Sequence, residues 1–526
     1  MRKTTLLYIS VVAALGLTAC KKNFLDRTPL DSYSQSSLFT SANDAIAAVN
    51  GCYNGWEDGY NIIYMDCASD NAYGQYPWEG YTTHGNGYIT PTDGDAASRW
   101  NFTTIQRVNW FMANIDKTPM DSALKHRVKG EARFLRAYQY FVMYELYGDV
   151  PLVTTQLTTQ EANTVSRTDK ATVYKFIMDE LTEIAPDLPL SYTGSDVGRI
   201  TRGAAISLKA RLELYTGDYA NCITDCKTIM GMGYTLFPNY QDLFRIQNNN
   251  NSETILNVQY KENDNPFESL GVMPSSGVGG WGSIDPTQAL VDNYEMANGK
   301  TITESGSGYN PDDPYKNRDP RLSATIVYPG QLYQGSYYNS INGSGADYYG
   351  GNNNSKTAYV PKKYTSNLGD FNDMWNVGLD FPVIRYAEIL LTFAEAKIES
   401  KQLDGEMYDA IDSVRVRAGM PKVDRTAYAT YDKLQTLIRR ERRSELAMEG
   451  LRWYDVKRWQ IGDKVMAGAV YGARTGNVNA STGALTLTGA PIKAEDRVFD
   501  PKKNYLWPIP QKEIDVNKNL KQNDLY

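Results

Sequence analysis

Apolar residues recur at three-to-four-residue spacing in several long blocks of this chain, and stretches rich in Gly, Asn, Asp and Ser separate the blocks. Such spacing lines one stripe of a helix, which must then be buried against another element. The first block opens at Ser41, a capping residue with Asp44 three positions on, and continues through Ala45, Ala47, Ala48 and Val49. Phe102, Ile105, Val108, Asn109, Met112 and Ile115 predict the next helix. Leu124, Val128, Ala132, Leu135, Tyr138, Phe141 and Val142 predict another, running to about Tyr147, where Gly148 and Pro151 stop it. The same spacing predicts helices over Ala171 to Ile184, Arg202 to Tyr215, Tyr219 to Met230, Val383 to Ser400, Met407 to Ala418 and Tyr431 to Glu449.

Two regions break this rhythm. Gly51 to Gly94 scatters tyrosine and tryptophan among Gly, Asn and Asp, too aromatic for disorder and too broken for a long helix. Between Asp242 and Asp380 only Glu253 to Val258 and Thr325 to Tyr328 read as strands, and turn formers dominate, as in Gly343 to Ser355. The chain therefore divides into a helical part over 41–240, a loop-rich insertion over 241–380 and a second helical part of the same globular unit over 381–526. Loops on a rigid helical frame are where binding specificity is usually placed. Ala204, Ala205 and Ala210, then Ala220 after Gly217-Asp218-Tyr219, allow two helices joined by a tight turn to lie close. Antiparallel pairs of this kind stack into tetratricopeptide-like arrays. The period is degenerate, so plain helix packing stands as the alternative.

The start of the chain is of another kind. Met1, Arg2 and Lys3 precede an apolar stretch from Leu6 to Leu17, and Leu17-Thr18-Ala19 precedes Cys20. A charged start and a short apolar segment ending on small residues make an export signal, and the stretch is too short to span a bilayer. A cysteine directly after Leu-Thr-Ala fits lipoprotein processing. Residues 1–19 are thus expected to be a signal peptide, Cys20 a lipidated residue and 20–40 a polar tether containing Pro29; an ordinary signal beside a chance cysteine is the alternative.

Charge narrows the partners. The chain carries 54 basic and 61 acidic residues, a balance of −7. No basic stripe offsets it, so nucleic acid is not an expected partner. His84 and His126 stand without companions at metal-ligand spacing, and no metal or other cofactor is expected. Asp93-Gly-Asp95 and Asp312-Asp313 offer hard oxygen ligands without the spacing of a calcium loop, which keeps calcium as a minor alternative. Cys222 and Cys226 would lie one helical turn apart, an awkward geometry for a bridge. Free cysteines are expected there and at Cys52 and Cys67, with a disulfide, Cys52–Cys67 included, as the alternative that export permits.

Charged residues also crowd the helices. Glu131, Arg133, Arg385, Glu388, Glu395, Arg439, Arg440, Glu441, Arg442, Arg443, Glu445 and Arg452 mix both signs. Glu441 with Glu445, and Arg439 with Arg443, are like-signed pairs four residues apart, unfavourable unless another element brings opposite charge. Arginine suits that role because its planar fork bonds a carboxylate twice. Cross-helix ion pairing is the expected use.

The ordered motifs carry a resemblance. They begin with Cys20-Lys-Lys-Asn-Phe-Leu-Asp-Arg-Thr-Pro29, Glu131-Ala-Arg-Phe-Leu-Arg-Ala-Tyr138 and Tyr147-Gly-Asp-Val-Pro-Leu152. Leu208-Lys-Ala-Arg211, Tyr215-Thr-Gly-Asp-Tyr219, Asn251-Ser-Glu-Thr-Ile255 and Asp319-Pro-Arg321 follow. Arg385-Tyr-Ala-Glu-Ile-Leu-Leu391, Glu441-Arg-Arg-Ser-Glu-Leu446, Glu449-Gly-Leu-Arg452 and Leu506-Trp-Pro-Ile-Pro510 close the series. In this order, across nearly the whole chain, they resemble the SusD/RagB family of outer-membrane lipoproteins that partner SusC-like TonB-dependent transporters. The resemblance implies a mainly α fold, a tetratricopeptide-like platform with an irregular subdomain and a few short strands. It also implies a protein that captures an oligosaccharide or another nutrient at the cell exterior without catalysis. Lys21 and Lys22 depart from the acidic residues usual after the cysteine of surface-exposed members, which leaves the periplasmic leaflet as the alternative.

A neutral sugar offers hydroxyls for hydrogen bonds and apolar C–H faces that lie on aromatic rings, and broad rings give contact area at little entropic cost. Two clusters in the broken segments fit. One is Asp66, Asp70, Asn71, Tyr73, Tyr76, Trp78, Tyr81 and Trp100; the other is Trp281, Tyr337, Tyr338 and Trp375. Asp70, Trp78 and Trp281 lead, and Ser69-Asp70 matches a position from which the family often builds its ligand loop. The competing classes are a tethered glycoside hydrolase, for which Asp66 and Asp70 would be the paired carboxylates, a binder of peptide or another nutrient, and a purely adhesive helical protein.

Overall fold

The structure, a computed structural model, describes residues 39–526; the expected signal segment, Cys20 and nearly all of the tether lie outside the described residues. Helices form where the apolar spacing placed them. α1 (Ala42–Tyr53) packs on α2 (Thr103–Ile115) and α3 (Ser122–Tyr147), α3 on α4 (Lys170–Ile184), α4 on α5 (Arg202–Thr216) and α5 on α6 (Tyr219–Met230). The array does not stop there. α6 packs on α7 (Tyr386–Glu399), which lies beyond the whole middle region, and α7 carries α8 (Gly405–Arg417) and α9 (Tyr431–Glu445). One run of stacked helices therefore continues across the insertion, and the fold is mainly α.

Local chemistry sets the ends. The Ser41 hydroxyl accepts from the Asp44 N–H at 3.3 Å, the Asp121 carboxylate from Leu124 N–H at 2.9 Å and the Thr201 hydroxyl from Ala204 N–H at 3.1 Å. Gly148 and Gly217 end α3 and α5 at φ +78° and +83°, a backbone glycine adopts without a Cβ penalty. The second half of α3, from Phe134 to Tyr147, is buried on every side rather than along one stripe. Its polar groups are satisfied inside: the Tyr138 hydroxyl donates to Glu57 at 2.6 Å, and Arg136 donates to Glu180 at 2.8 Å and Asn109 at 2.7 Å. Each fully buried Leu, Val or Phe on this helix contributes roughly 1.5–3 kcal/mol.

The middle region is closed at its root. β2 (Thr254–Val258) pairs antiparallel with β4 (Phe381–Arg385), Thr254 opposite Arg385 and Val258 opposite Phe381. The run expected to be helical from Val383 is thus strand through Arg385, and α7 begins only at Tyr386; the Phe-Pro-Val-Ile segment suits a buried ladder better than a helix start. Strand character near Thr325 shrinks to Ile326–Val327, paired with Val360–Pro361. α9 stops at Glu445 rather than Glu449, with Met448 and Gly450 both at positive φ. A further difference lies in the C-terminal part, where β5 (Gly468–Val478) and β6 (Leu485–Arg497) form a long hairpin with Val478 opposite Leu485. Glycines at 468, 472, 476 and 489 hid it, because in a sequence they read as breakers.

The expected ion pairing is realised between elements. Arg321 donates to Glu441 at 2.6 Å and to Glu445 at 3.0 Å, so one guanidinium bridges the like-signed pair on α9. Arg385 reaches Glu253 at 2.6 Å, Glu445 at 2.7 Å and Glu449 at 2.7 and 2.8 Å, and Arg417 adds contacts to Glu253 and Glu445. Burial alone would raise the Glu445 carboxyl, but Arg417, Arg385 and Arg321 outweigh it and hold it far below the usual range. Cys52, Cys67, Cys222 and Cys226 are buried free thiols. Trp507 and Ile509 are buried too, so the Trp-Pro-Ile-Pro segment packs on the body. No helix among the described residues is long and apolar enough to cross a membrane.

Candidate ligand-binding site

Two loops bring the predicted aromatic clusters together. β1 (Ala72–Gly74) pairs antiparallel with β3 (Ile284–Pro286), Gly74 opposite Ile284, and the ladder extends by the Gln75 N–H donating to the Ser283 carbonyl at 2.9 Å. Tyr76 and Trp78 therefore leave the ladder at the end where Trp281 enters it. The Tyr76 hydroxyl donates to Asn353 Oδ1 at 2.8 Å, and the Asn353 carbonyl accepts from Ser276 N–H at 3.0 Å, which ties in a third loop.

Rings cap this junction. Trp281 and Trp375 lie 4.6 Å apart between centroids with a 47° tilt, and Tyr76 stacks on Trp78 at 5.1 Å. Trp78 is 77% and Trp281 42% exposed, while Tyr76 and Trp375 are half-buried. Large side chains left in water on loops held by main-chain bonds make an open platform rather than an enclosed pocket. Gly271 sets the pair's geometry: its carbonyl accepts from the Trp281 N–H at 2.9 Å, and a Cβ there would meet the Trp375 ring at 2.4 Å. Gly271, Asn353 and Ser276 were not singled out in the sequence. The glycines flanking Trp281, at 277, 279, 280 and 282, were the available signal of close backbone approach.

The remaining sequence candidates are placed elsewhere. Asp70, one of the three leading residues, is buried and accepts from Arg452 at 2.7 and 3.0 Å and pairs with Arg443 at 2.9 Å. Burial pushes its carboxyl up, but Arg443 and Arg452 outweigh it and hold it at about 2. Asp66 is fully buried, accepts from the Asn71 amide at 2.6 Å and the Gly450 N–H at 3.0 Å, and burial lifts it to about 6. Asn71 is spent on Asp66 and Arg443. Asp66, Asp70 and Asn71 thus form the root of the loop rather than its exposed tip, and both carboxylates of the pair named for hydrolysis are buried.

Tyr81 is likewise corrected: it is 1% exposed, its hydroxyl donates to Asn61 at 2.7 Å and its ring packs on Trp507. Trp100 is buried edge-on to Tyr147 and lines an apolar hollow of about 350 Å³ with Phe102, Ile105, Val516 and Leu520, none of them platform residues. Tyr338 is buried, and Tyr337 is half-buried beside the Gly483 turn of the β5–β6 hairpin. Tyr73, opposite Asp285 in the ladder, is half-buried. Among the described residues no group of three or more His, Cys, Asp or Glu is arranged to hold a metal, and Asp312 is paired with Arg474.

Comparison with known proteins fits this architecture. The family model described as the SusD family matches residues 241–526, and one described as starch-binding associating with outer membrane matches residues 23–214. A SusD-like protein of Bacteroides ovatus is 27% identical over 497 residues, 88% of this chain and 84% of that one. Starch-binding protein SusD of Bacteroides thetaiotaomicron is 32% identical over 162 residues, 29% of this chain and 28% of that one. The crystal structure of a SusD-like carbohydrate binding protein from Bacteroides fragilis superposes with a TM-score of 0.81 at 30% identity, covering 92% of this chain and 99% of that one. With its helical array, closed insertion and ordered motifs all in agreement, the chain belongs to the SusD family.

Proposed function

We propose that this protein captures a neutral oligosaccharide on the Trp281/Trp375 platform, beside Tyr76 and Trp78, and releases it chemically unchanged to a SusC-like TonB-dependent transporter in the outer membrane, facing the cell exterior from a lipid anchor on Cys20. The observation that carries this reading is the tilted tryptophan pair, Trp281 exposed and Trp375 half-buried, joined to a second aromatic pair by one short ladder. The apolar faces of a sugar ring gain contact with such surfaces at small entropic cost, because the rings have few torsions to freeze. The Bacteroides fragilis relative, named for carbohydrate binding, supports the cargo class, and the amino-terminal family description supports the membrane. The hydrolase alternative loses its named residues, since Asp66 and Asp70 are interior.

Affinity electrophoresis and calorimetry across a panel of neutral polysaccharides test the reading. Wild type is expected to bind at least one member, and the double variant Trp281→Ala/Trp375→Ala to lose at least tenfold in affinity, about 1.4 kcal/mol. Equal binding by the variant, or binding of peptide and no glycan, would refute it. Detergent extraction that copurifies a large barrel protein tests the delivery step.

A further inference from the structure

A second hollow, of about 610 Å³, opens between the end of α1, the loop around Arg199 and the end of β2. Its walls include Asn54, Arg199, Asn257, Gln259, Tyr260 and Asn265. The charged side chains there already have partners. Arg199 donates to Glu131 at 2.9 Å, Asp196 at 2.6 Å and Asn50 at 2.8 Å, while the Asp58 carboxylate accepts from the Tyr260 hydroxyl at 2.7 Å and the Tyr60 N–H at 2.9 Å. What remains uncommitted is amide. Among the described residues the exposed side chains of Asn54 and Asn265 have no hydrogen-bond partner, and the Oδ1 of buried Asn257 has none either. Free amides beside these groups favour a neutral, hydroxyl-rich ligand over an anionic one, because an anion would find Arg199 already held by Glu131 and Asp196 while hydroxyls meet both donors and acceptors.

The wall is also rigid. The Tyr260 hydroxyl accepts from Gly59 N–H at 2.7 Å as well as donating to Asp58, and its ring packs against Phe267 at 5.3 Å. Gly198, at φ +95°, lets its loop pass so close to Gln259 that a Cβ would meet the amide oxygen at 1.8 Å. The hollow adjoins the platform through one turn. Lys261 and Asn265 exchange backbone hydrogen bonds at 2.9 Å, and Asn263 at the turn both receives from and donates to the side chain of Asn376, at 2.7 and 2.9 Å. Asn376 follows Trp375. The turn that carries Asn265 into the hollow is thus bolted to the residue beside the platform.

We infer that the hollow bordered by Asn54, Tyr260 and Asn265 is a second subsite for the same neutral glycan, entered across the 261–265 turn by chains too long for the tryptophan platform alone. This rests on the glycan reading above, and the experiment separates the two. Calorimetry would use matched ladders of two to eight units from malto-, β-glucan, xylan and mannan series, on wild type, Asn54→Ala/Asn265→Ala and Trp281→Ala/Trp375→Ala. Wild type is expected to bind six-unit members about tenfold more tightly than two- or three-unit members. The asparagine variant should lose that increment and keep the affinity for short members, whereas the tryptophan variant should weaken both. Asn54→Trp, which fills the hollow from an exposed position, should behave like the asparagine variant. An unchanged length dependence in both hollow variants would overturn the subsite and leave the platform standing. Wild type binding no member of any ladder would overturn both.

Discussion

Replacing Asp70 by Asn separates a residue that holds the ligand loop from one that touches ligand. Asp70 lies under the loop, with Arg452 at 2.7 and 3.0 Å and Arg443 at 2.9 Å. Folding lowers its carboxyl from 3.8 to about 2, which corresponds to roughly 2–3 kcal/mol of stability carried by the charged form. The amide keeps the shape and discards the charge, so the variant should unfold about 2–3 kcal/mol more easily, at or just below the roughly 3–5 kcal/mol for breaking a buried pair outright. With unfolding entropy near 2 cal/mol/K per residue, a chain of this length should lose only about 2–3 °C in Tm. Denaturant titration is therefore the better assay. The pH dependence has a definite sign. A depressed carboxyl stabilises the folded state fully above its unfolded value of 3.8 and loses that contribution as pH falls towards 2. The gap between wild type and Asp70→Asn should be constant from pH 8 to 5 and shrink between about 4 and 2. Glycan affinity of the folded variant should stay within about twofold of wild type. Unchanged stability together with lost binding would refute the reasoning and return Asp70 to the ligand.

Two further outcomes follow from the geometry. Gly271→Ala puts a Cβ 2.4 Å from the Trp375 ring; the ring must swing, so glycan binding should fall about tenfold or more with little change in denaturation midpoint, and wild-type affinity would show that the tryptophan pair is not the platform. Arg321→Met strips Asp319, Glu441 and Glu445 of a shared, fully buried partner and should cost about 3–5 kcal/mol in urea unfolding; a loss under about 1 kcal/mol would contradict a dry, interior network.

Local signals made the helices legible. Ser41 caps where its spacing to Asp44 placed it, and Gly148 and Gly217 stop α3 and α5. The ion pairing was legible for a different reason: Glu441 and Glu445 on one helix face demand outside cations, and Arg321 supplies one to both. Half of the candidate site could be read in the same way, since Trp78 and Trp281 in glycine-rich loops have no helix face to bury them and do stand in solvent. The other half could not. Asp66, Asp70 and Asn71 have the residue types of a sugar site, but the arginines that occupy Asn71 and Asp70 lie 372 and 382 positions away in the chain, and nothing local announces them. Tyr81 and Trp100 failed similarly, because an aromatic in a broken segment serves a core or a surface equally well until the tertiary neighbours are known. The β5–β6 hairpin was obscured by its own glycines, which permit the close strand contact that lets Ala473 N–H reach the Thr357 carbonyl at 2.8 Å.

The pinned root explains why the loop can end in exposed rings without collapsing onto the body. Arg497 from β6 donates to the Ser69 carbonyl at 2.7 Å and the Ala72 carbonyl at 2.8 Å, while Arg443 from α9 donates to the Asp70 carbonyl at 3.1 Å. These are buried carbonyls that no sheet or helix would otherwise satisfy. Two elements distant in sequence thus fix the backbone a few residues before Tyr76 and Trp78, and the ladder to β3 fixes it again opposite Trp281. Ordering cost is met during folding rather than at ligand binding. An open platform on such a base places no wall across the ends of a bound chain, so for the proposed glycan it favours segments within a polymer as readily as free ends. A deep pocket would have reversed that preference.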